Sequence, residues 1–240
     1  MRNQLADAPP HQATLRRAPR QKRSRILFDK IVATAKTLFE QEGYAYVTTN
    51  RIAEEANISV GSLYQYFKNR EAIALTVYEH ACAKAALTQK QRTLESLTLP
   101  LEISIPKGIE QVFEIFEEDR YALLQLINEV PELRRSAQPL SFDSLIWHTT
   151  QMFLEQHFTH LDRATIARKA YVLDRCILGI VSRYLDERPD FLDKNAAIAE
   201  VTQLVQQYIK TLPDQRISSA RPRRRRRREA SASDRRAVIT

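Results

Sequence analysis

Glycine is scarce in this chain: among 240 residues there are four, Gly43, Gly61, Gly108 and Gly179. Loops that cradle nucleotide phosphates need closely spaced glycines, so this scarcity disfavours nucleotide-binding enzymes of that kind. The alternating β-branched runs expected of strands are also missing. Leu, Ala, Glu, Gln, Arg and Lys are abundant instead, and these residues favour helices. The sequence therefore predicts an all-α protein.

Cysteines and long apolar runs are also rare. The two cysteines, Cys82 and Cys176, both fall in apolar helical patterns, which favours buried packing over a redox role. No run approaches the roughly 18 apolar residues that cross a bilayer. Residues 1–25 lack the apolar core of a signal peptide. We therefore expect a cytoplasmic protein with reduced thiols and no membrane partner.

Positive charge is concentrated at the two ends. Residues 1–25 carry a net charge of +6 and residues 216–240 a net charge of +8. The whole chain carries +8, so residues 26–215 are left with −6. Basic arms attract polyanions through counterion release, largely without regard to sequence. We expect the N-terminal arm to contact nucleic acid; for the Arg-rich C-terminal run, a solvated tail is the favoured interpretation.

Helical periodicity, interrupted by prolines, predicts the organisation of the chain. The predicted helices span residues 25–42, 48–56, 59–67, 70–92, 107–117, 119–129, 142–158, 162–187 and 191–212. Pro100 and Pro106 are expected to break the pattern over 93–106. The predicted parts are a disordered basic arm over 1–24, a helix-turn-helix domain over 25–70, a helical regulatory and dimerisation domain over 71–213, and a disordered Arg-rich tail over 214–240.

The most informative stretch is residues 48–71, TTNRIAEEANISVGSLYQYFKNRE, which predicts two short helices joined by a tight turn. Asn57 takes the turn because it tolerates a positive φ. The predicted core of this region comprises Ile31, Leu38, Phe39, Val47, Ile52, Ala53, Ala56, Ile58, Leu63 and Phe67. With these inward, the second helix is expected to turn Val60, Gly61, Ser62, Gln65 and Tyr66 outward, with Tyr64 near the boundary.

Such an outward face suits DNA. The Thr49 hydroxyl would lie near a phosphate. Gln65 can pair with an adenine edge, and Tyr64 or Val60 can pack against a thymine methyl. Buried tyrosines in an ordinary helical hairpin are the alternative.

Residues 25–77 resemble the DNA-binding domain of the TetR/AcrR family of bacterial transcriptional regulators. The resemblance is carried by residues 35–39 (AKTLF), Gly43-Tyr44, Thr48-Thr49, Ile52-Ala53 and residues 59–71 (SVGSLYQYFKNRE). It implies an N-terminal three-helix helix-turn-helix domain followed by a larger helical ligand-binding and dimerisation domain. Asn57 stands where the family usually has glycine, and Val60 where a polar residue is common.

The resemblance also implies roles for single residues. Positions matching Thr49, Ser62, Tyr66 and Lys68 contact phosphates in the family, and those matching Val60, Gly61, Tyr64 and Gln65 face base edges. The predicted DNA-binding residues are Thr49, Val60, Gly61, Ser62, Tyr64, Gln65, Tyr66, Lys68 and Arg70.

Two apolar stripes near the end of the folded part suit a homodimer. One runs along residues 162–187 and the other along 191–212. The predicted interface residues are Leu173, Ile177, Ile180, Tyr184, Val201, Val205 and Tyr208. Packing of the same stripes inside one subunit is the alternative.

The middle helices are rich in aromatic residues and can enclose an apolar or aromatic small-molecule effector. The predicted effector residues are Phe113, Phe116, Tyr121, Trp147, His148, Gln151 and Met152, with Leu124 and Phe153 nearby in the same helices. Ordinary core packing is the alternative, and it is the stronger one from the residues alone.

No enzyme motif is visible: there is no nucleophile elbow, no phosphate-binding glycine loop, no zinc-protease motif and no Cys-rich metal spacing. His148, His157 and His160 lack a completing ligand, so we predict no metal and no cofactor. A helical protein that binds RNA through its Arg tails is the rival function. We predict a dimeric DNA-binding transcriptional regulator, a repressor rather than an activator because occlusion of a promoter needs no further surface.

Overall fold

The computed structural model describes residues 21–136 and 142–212, with the backbone alone for 134–136 and 142–145. Helices are the regular elements of these ranges, and no strand occurs in them. The helices are α1 Lys22–Glu42, α2 Thr49–Glu55, α3 Val60–Tyr64, α4 Arg70–Ser96, α5 Leu101–Glu118, a π-helix Tyr121–Gln125, α6 Leu126–Glu129, α7 Pro131–Ser136, α8 Phe142–His157, α9 Arg163–Glu187 and α10 Lys194–Lys210. The predicted all-α fold class is confirmed.

Side-chain caps set where many of these helices begin. In each case the capping oxygen accepts a hydrogen bond from the backbone N–H three residues later, which satisfies a donor that the helix leaves unpaired. The caps are Thr48 for α2, Ser59 for α3, Asn69 for α4, Asp162 for α9 and Asp193 for α10. Because caps are local, the predicted starts of α2, α3, α4 and α9 lie within a residue of the observed ones.

Several predicted boundaries are wrong, three of them near α1, α4 and α5. Helix α1 already begins at Lys22, so Lys22, Arg23 and Ser24 belong to its first turn and not to the predicted disordered arm. Helix α4 extends to Ser96, and α5 begins at Leu101 and runs through Pro106. A proline removes one backbone hydrogen bond from a helix. Here the flanking buried residues of α5 hold the helix on both sides of Pro106.

The first three helices form a compact head around Phe39, Val47, Ile52, Leu63 and Phe67, all fully buried. The predicted core residues of this region are buried, except that Ile58 is half-buried. Gly43 and Asn57 both have positive φ values, +82° and +50°, at the two turns of the head. The predicted conformation of the Asn57 turn is therefore confirmed.

Helix α4 connects this head to the remaining helices. Its first turns bury Ile73, Leu75 and Val77 against the head, while its later turns pack on α5 and α8. Helix α8 packs on α9, and α10 packs on α5. The buried apolar residues form one continuous cluster from α1 to α10, so the division at residue 70 stays a prediction about organisation.

Asp119 joins the head to the helical body at the end of α5. The Asp119 side chain is 7% exposed, and its two carboxylate oxygens pair with Lys36 of α1 at 2.6 Å and with Lys84 of α4 at 2.9 Å. Burial alone raises the pKa of this carboxyl, but hydrogen bonds and charges from the two lysines outweigh burial. The net result is a pKa below the usual range of an aspartate.

The π-helix beside Asp119 makes a second link. The backbone N–H of Tyr44 donates to the Tyr121 hydroxyl at 2.8 Å and to Glu129 Oε2 at 3.0 Å. The Tyr121 hydroxyl itself donates to Glu129 Oε2 at 2.9 Å. Burial and the hydrogen bond to Glu129 raise the pKa of Tyr121, so its hydroxyl remains a donor at neutral pH. The turn after α1 is therefore held by the helical body.

We predict that Asp119→Asn lowers the free energy of unfolding by about 1–2 kcal/mol at pH 7, because a buried acceptor loses its charge while the lysines stay partly solvated. Since the folded pKa of Asp119 is depressed, this stabilisation is present above the unfolded pKa of about 3.9 and is lost as pH falls through the folded pKa. Urea unfolding from pH 7 to pH 3 measures both effects.

The matched control is Glu40→Gln, which removes the exposed partner of Lys36 within α1. This variant should unfold close to the wild type at every pH. A pH-independent difference between Asp119→Asn and the wild type would contradict the assignment of the stabilisation to the Asp119 charge.

Candidate nucleic-acid interface

Helices α2 and α3 form the predicted helix-turn-helix. The turn is closed by the backbone bond from Ile58 N–H to the Ala53 carbonyl at 3.0 Å, with Asn57 at positive φ. Ser59 then starts α3 and accepts the Ser62 amide at 3.1 Å. Leu63 is the buried residue of α3 and orients this short helix on the head. These local bonds fix which face of α3 is presented outward.

The outward face of α3 is small and neutral. Val60, Gly61 and Gln65 are exposed, whereas Ser62 and Tyr64 are half-buried. The Ser62 hydroxyl lies 2.8 Å from the Ser59 hydroxyl. These five positions include all the predicted base-facing residues, so the structure brings that set together on one surface.

A hydroxyl pair ties α2 to the end of α3. The Thr49 hydroxyl lies 3.1 Å from the Tyr64 hydroxyl, and both residues are half-buried. The contact locks the angle between the two helices at the edge of the candidate surface. It also groups two predicted DNA-binding residues at one point.

Tyr66 does not face outward as predicted. It is 7% exposed, and its ring meets the Phe28 ring edge-on at a centroid distance of 6.1 Å. Phe28 also stacks on Phe67 at 5.0 Å. The prediction treated α3 as continuing to residue 67, but α3 ends at Tyr64, and the turn that follows rotates Tyr66 toward α1. Its phosphate contact remains a prediction from the family resemblance.

Arg70, another predicted DNA contact, has a structural task. Its guanidinium donates to the carbonyls of Tyr44 at 3.0 Å, Ala45 at 3.3 Å and Val47 at 2.9 Å. It also lies over the Tyr44 ring, 4.1 Å from the centroid. All three hydrogen bonds come from one nitrogen, Nη1, and they close the loop between α1 and α2.

Arg51 and Lys68, the other two cations of residues 48–71, differ in how free they are to contact a phosphate. Arg51 pairs with Glu55 at 2.9 Å and with Glu42 at 3.4 Å. Lys68 is exposed and has no ion pair within the described residues. Among the three cations of residues 48–71, Lys68 is therefore the one most available to a phosphate, and that contact stays a prediction.

Further positive charge stands at the start of α1. Lys22, Arg23 and Arg25 are exposed there. The packing of Phe28 on Tyr66 and Phe67 places this end of α1 beside the end of α3. The predicted arm residues before residue 21 lie outside the described residues.

A second candidate site is an apolar cavity of about 100 Å³ in the helical body. It lies between α4, α5, α8, α9 and α10. Its lining residues are Gln89, Thr93, Ser96, Ser104, Ile105, Gly108, Ile109, Gln111, Val112, Ile146, Thr149, Thr150, Phe153, Leu173, Ile177, Val205 and Ile209.

None of the seven predicted effector residues lines this cavity. Phe113 is fully buried and packs edge-on against Tyr184, Phe116 is also buried, and Tyr121 binds the head. Trp147, His148, Gln151 and Met152 lie on α8 away from the cavity lining, and Met152 is exposed. Phe153, from the same predicted helix, does line the cavity. A high content of aromatic residues therefore indicates which helices contribute to the core, but it does not identify the side chains that line a cavity.

A different sequence signal marks the cavity. Gln89, Thr93 and Ser96 recur at spacings of four and three along α4, so they share one face, and all three are buried. Ser104 and Gln111 of α5 are buried polar residues facing the same space. A stripe of uncharged polar residues on the inner face of a helix would have indicated this site.

The predicted dimer residues also do not share one exposed surface, because most of them are buried inside the subunit. Leu173, Ile177, Val201 and Val205 are buried within this one chain. Tyr184 packs on Phe113, and Tyr208 lies under the Lys169 ammonium at 4.6 Å. Ile180 is 37% exposed. Most residues of the two predicted apolar stripes therefore pack inside one subunit, which was the alternative to a dimer interface.

The described residues show two further features. Among residues 21–136 and 142–212, no group of three or more His, Cys, Asp or Glu is placed to hold a metal ion. None of the helices in these ranges combines the length and apolar character of a membrane span. For His157, considered above as a ligand, Nδ1 lies 3.0 Å from the Phe153 carbonyl oxygen and Nε2 lies 3.3 Å from the Leu99 carbonyl oxygen.

Comparison with known proteins supports the helix-turn-helix assignment. Residues 31–77 match the family model described as bacterial regulatory proteins, tetR family. The uncharacterized HTH-type transcriptional regulator YerO of Bacillus subtilis (strain 168) is 26% identical over 162 residues, which cover 66% of this chain and 54% of that protein. The chain thus spans about half the length of this relative.

Solved structures share the fold. A putative TetR-family transcriptional regulator from Mesorhizobium loti superposes with a TM-score of 0.66 at 14% identity, over 79% of this chain and 98% of that one. The transcriptional regulator FadR from Bacillus subtilis, in complex with stearoyl-CoA, superposes with a TM-score of 0.56 at 15% identity, over 78% and 100%. At these identities the likeness shows the fold alone.

We predict that Gly61→Glu weakens DNA binding by about tenfold or more without unfolding the head, since a carboxylate there repels the phosphates. The substitution is structurally tolerated: a Cβ at residue 61 meets only the Ser59 hydroxyl, at 3.9 Å, and the backbone φ is not positive. Gel-shift titration and circular dichroism measure the two properties.

The matched control is Gly61→Ala, which adds the Cβ without charge. It should keep the fold and retain more DNA affinity than Gly61→Glu. Equal affinity of the wild type and Gly61→Glu would show that α3 does not approach the duplex.

Proposed function

We propose that this chain is a member of the tetR family of bacterial regulatory proteins, a repressor that binds a palindromic operator as a homodimer and is released by a small-molecule effector. The observation that carries the proposal is the capped, rigid helix-turn-helix with an outward face of Val60, Gly61 and Gln65. A recognition helix held in this way enters the major groove as a unit.

The side chains on and beside this face would contribute to DNA affinity in two ways, by contacts with bases and by contacts with phosphates. Gly61 lets the backbone come close to the duplex, and Gln65 supplies the amide that pairs with an adenine edge. Lys68 and the start of α1 supply positive charge toward phosphates. Base readout and phosphate attraction would then come from neighbouring but separate side chains.

The relatives with similar sequence are transcriptional regulators, and none is named as an enzyme. The rival proposal, RNA binding through the Arg tails, concerns residues outside the described ranges. It is favoured by charge alone, whereas the helix-turn-helix geometry favours DNA.

A dimer is supported by an exposed apolar strip on α9. Val172, Cys176, Gly179 and Ile180 follow each other at helical spacing, and Val172 and Ile180 are large apolar residues left exposed. Leu204 of α10 is likewise exposed. Helices α9 and α10 from two copies would cover these residues as a four-helix interface. Of the predicted interface residues, Ile180 belongs to this strip.

Effector control is supported by the links around Asp119. Helix α5 lines the cavity with Ile105, Ile109 and Val112 and ends next to Asp119, which holds Lys36 in α1. If the cavity has two states in which α5 takes different positions, the head would therefore also move between them. An effector that prefers one of these states changes DNA affinity by its differential binding.

Selection of duplexes from a random pool by the full chain tests the function. We expect enriched sites with two inverted half-sites about one helical turn apart, because each copy of α3 reads one half-site. A variant that ends at residue 215 should enrich the same sites, since the specific contacts lie in the head. Loss of all selectivity in this variant, or equal binding of RNA, would favour the rival proposal.

We predict that Gly179→Arg converts the dimer to a monomer and lowers operator affinity, because the long cation occupies the centre of the α9 strip. Within one subunit a Cβ at residue 179 meets nothing within 4 Å, so the fold should remain. Light scattering at micromolar concentration measures the mass.

The control is Leu87→Arg, which places the same cation at an exposed apolar residue of α4, away from the strip. This variant should remain dimeric. An unchanged dimer mass for Gly179→Arg would contradict the α9 interface.

A further inference from the structure

The cavity in the helical body combines an apolar wall with polar groups that carry no charge. Ile105, Ile109, Val112 and Phe153 are among its apolar residues. Within the described residues, no lysine, arginine, histidine, aspartate or glutamate lines it. An ionised group brought into such a space loses its hydration without gaining an opposite charge. The cavity therefore disfavours carboxylates, phosphates and amines.

Two polar atoms of the lining lack partners. Gln89 and Ser104 are 5% and 3% exposed, and within the described part of the chain Gln89 Oε1 and Ser104 Oγ have no hydrogen-bond partner. Their neighbours are satisfied: Gln89 Nε2 donates to Thr93 Oγ1 at 3.3 Å, and the Ser96 hydroxyl donates to the Arg92 carbonyl at 2.9 Å. Buried polar groups are nearly always paired, so these two atoms indicate that something polar belongs in the cavity.

The size of the space limits the ligand. Its volume is about 100 Å³, whereas an engineered apolar cavity of about 150 Å³ accepts benzene. In proportion, the space holds a ligand body of about four to five non-hydrogen atoms. Because the pocket is partly open to the surface, a six-membered ring with one substituent is the upper end of what it can take, and the pocket has to widen to take it. A long acyl chain or a nucleotide-bearing thioester is several times larger than this space.

We propose that this cavity binds a small uncharged molecule that carries a hydroxyl on an apolar body, of the class of phenol and the short branched alcohols. A hydroxyl donates to Gln89 Oε1 or accepts from the Ser104 hydroxyl, and it suits the Gln89 amide in either orientation because it is both donor and acceptor. The apolar body replaces empty space beside Ile109 and Phe153. This inference rests on the proposed function, since it names the effector class of that regulator.

Calorimetric titration of the full chain without DNA separates this inference from DNA binding. The probes are phenol, toluene and benzoate, which share a six-membered ring and differ in the polar group. Phenol should bind roughly tenfold more tightly than toluene, in line with one hydrogen bond made to a buried partner. Benzoate should not bind. Equal affinity for phenol and toluene, preferred binding of benzoate, or no binding of any probe would overturn the proposal.

The variant pair Gln89→Leu and Ser104→Ala, combined in one chain, identifies the polar partners. The double variant should lose the preference for phenol and still bind toluene, which shows that its cavity is intact. The matched control is Gln151→Leu, the same amide-to-apolar change on α8 outside the lining, and it should keep the preference. Survival of the phenol preference in the double variant would overturn the assignment.

Discussion

The paired lysines on Asp119 are the contact on which the arrangement of the molecule depends. A carboxylate that is almost fully buried would be unstable alone, and here it is balanced by one lysine from α1 and one from α4. Because α1 belongs to the head and α5 to the cavity wall, the same contact fixes the head relative to the body. The hydrogen bonds between Tyr121, Glu129 and Tyr44 repeat this link beside it.

Within the head, the side chains that stabilise the fold are different from those on the exposed face of α3. Arg51 and Arg70, two of the three cations of the motif, stabilise the head through Glu55 and through the loop carbonyls. The exposed face of α3 is left small and nearly neutral. In the proposed DNA complex, affinity would depend on Lys68, on the start of α1 and on close approach at Gly61. Such a surface would suit discrimination between base sequences.

The sequence predicted the local features of the fold well. The predicted starts of α2, α3 and α9, where Thr48, Ser59 and Asp162 cap the helices, and the positive φ of Asn57 follow from hydrogen bonds and sterics within a few residues. The outward set on α3 was predicted for the same reason, apart from Tyr66. That residue lies past the end of the helix, where the turn and the Phe28 ring decide its direction and helical spacing no longer applies.

Predictions that required knowledge of neighbours were less accurate. An apolar stripe on α9 has the same period whether it faces α8, α5 or a second copy, and the structure buries Leu173 and Ile177 inside the chain. In the same way, aromatic residues such as Phe113 predicted a cavity but fill the core. The sequence by itself determined most of the helices, where several of them start, and the resemblance of residues 25–77 to the tetR family, because these are properties of short segments. Tertiary structure alone decided which faces meet, where the cavity lies and which side chains line it, because burial depends on partners that are distant along the chain.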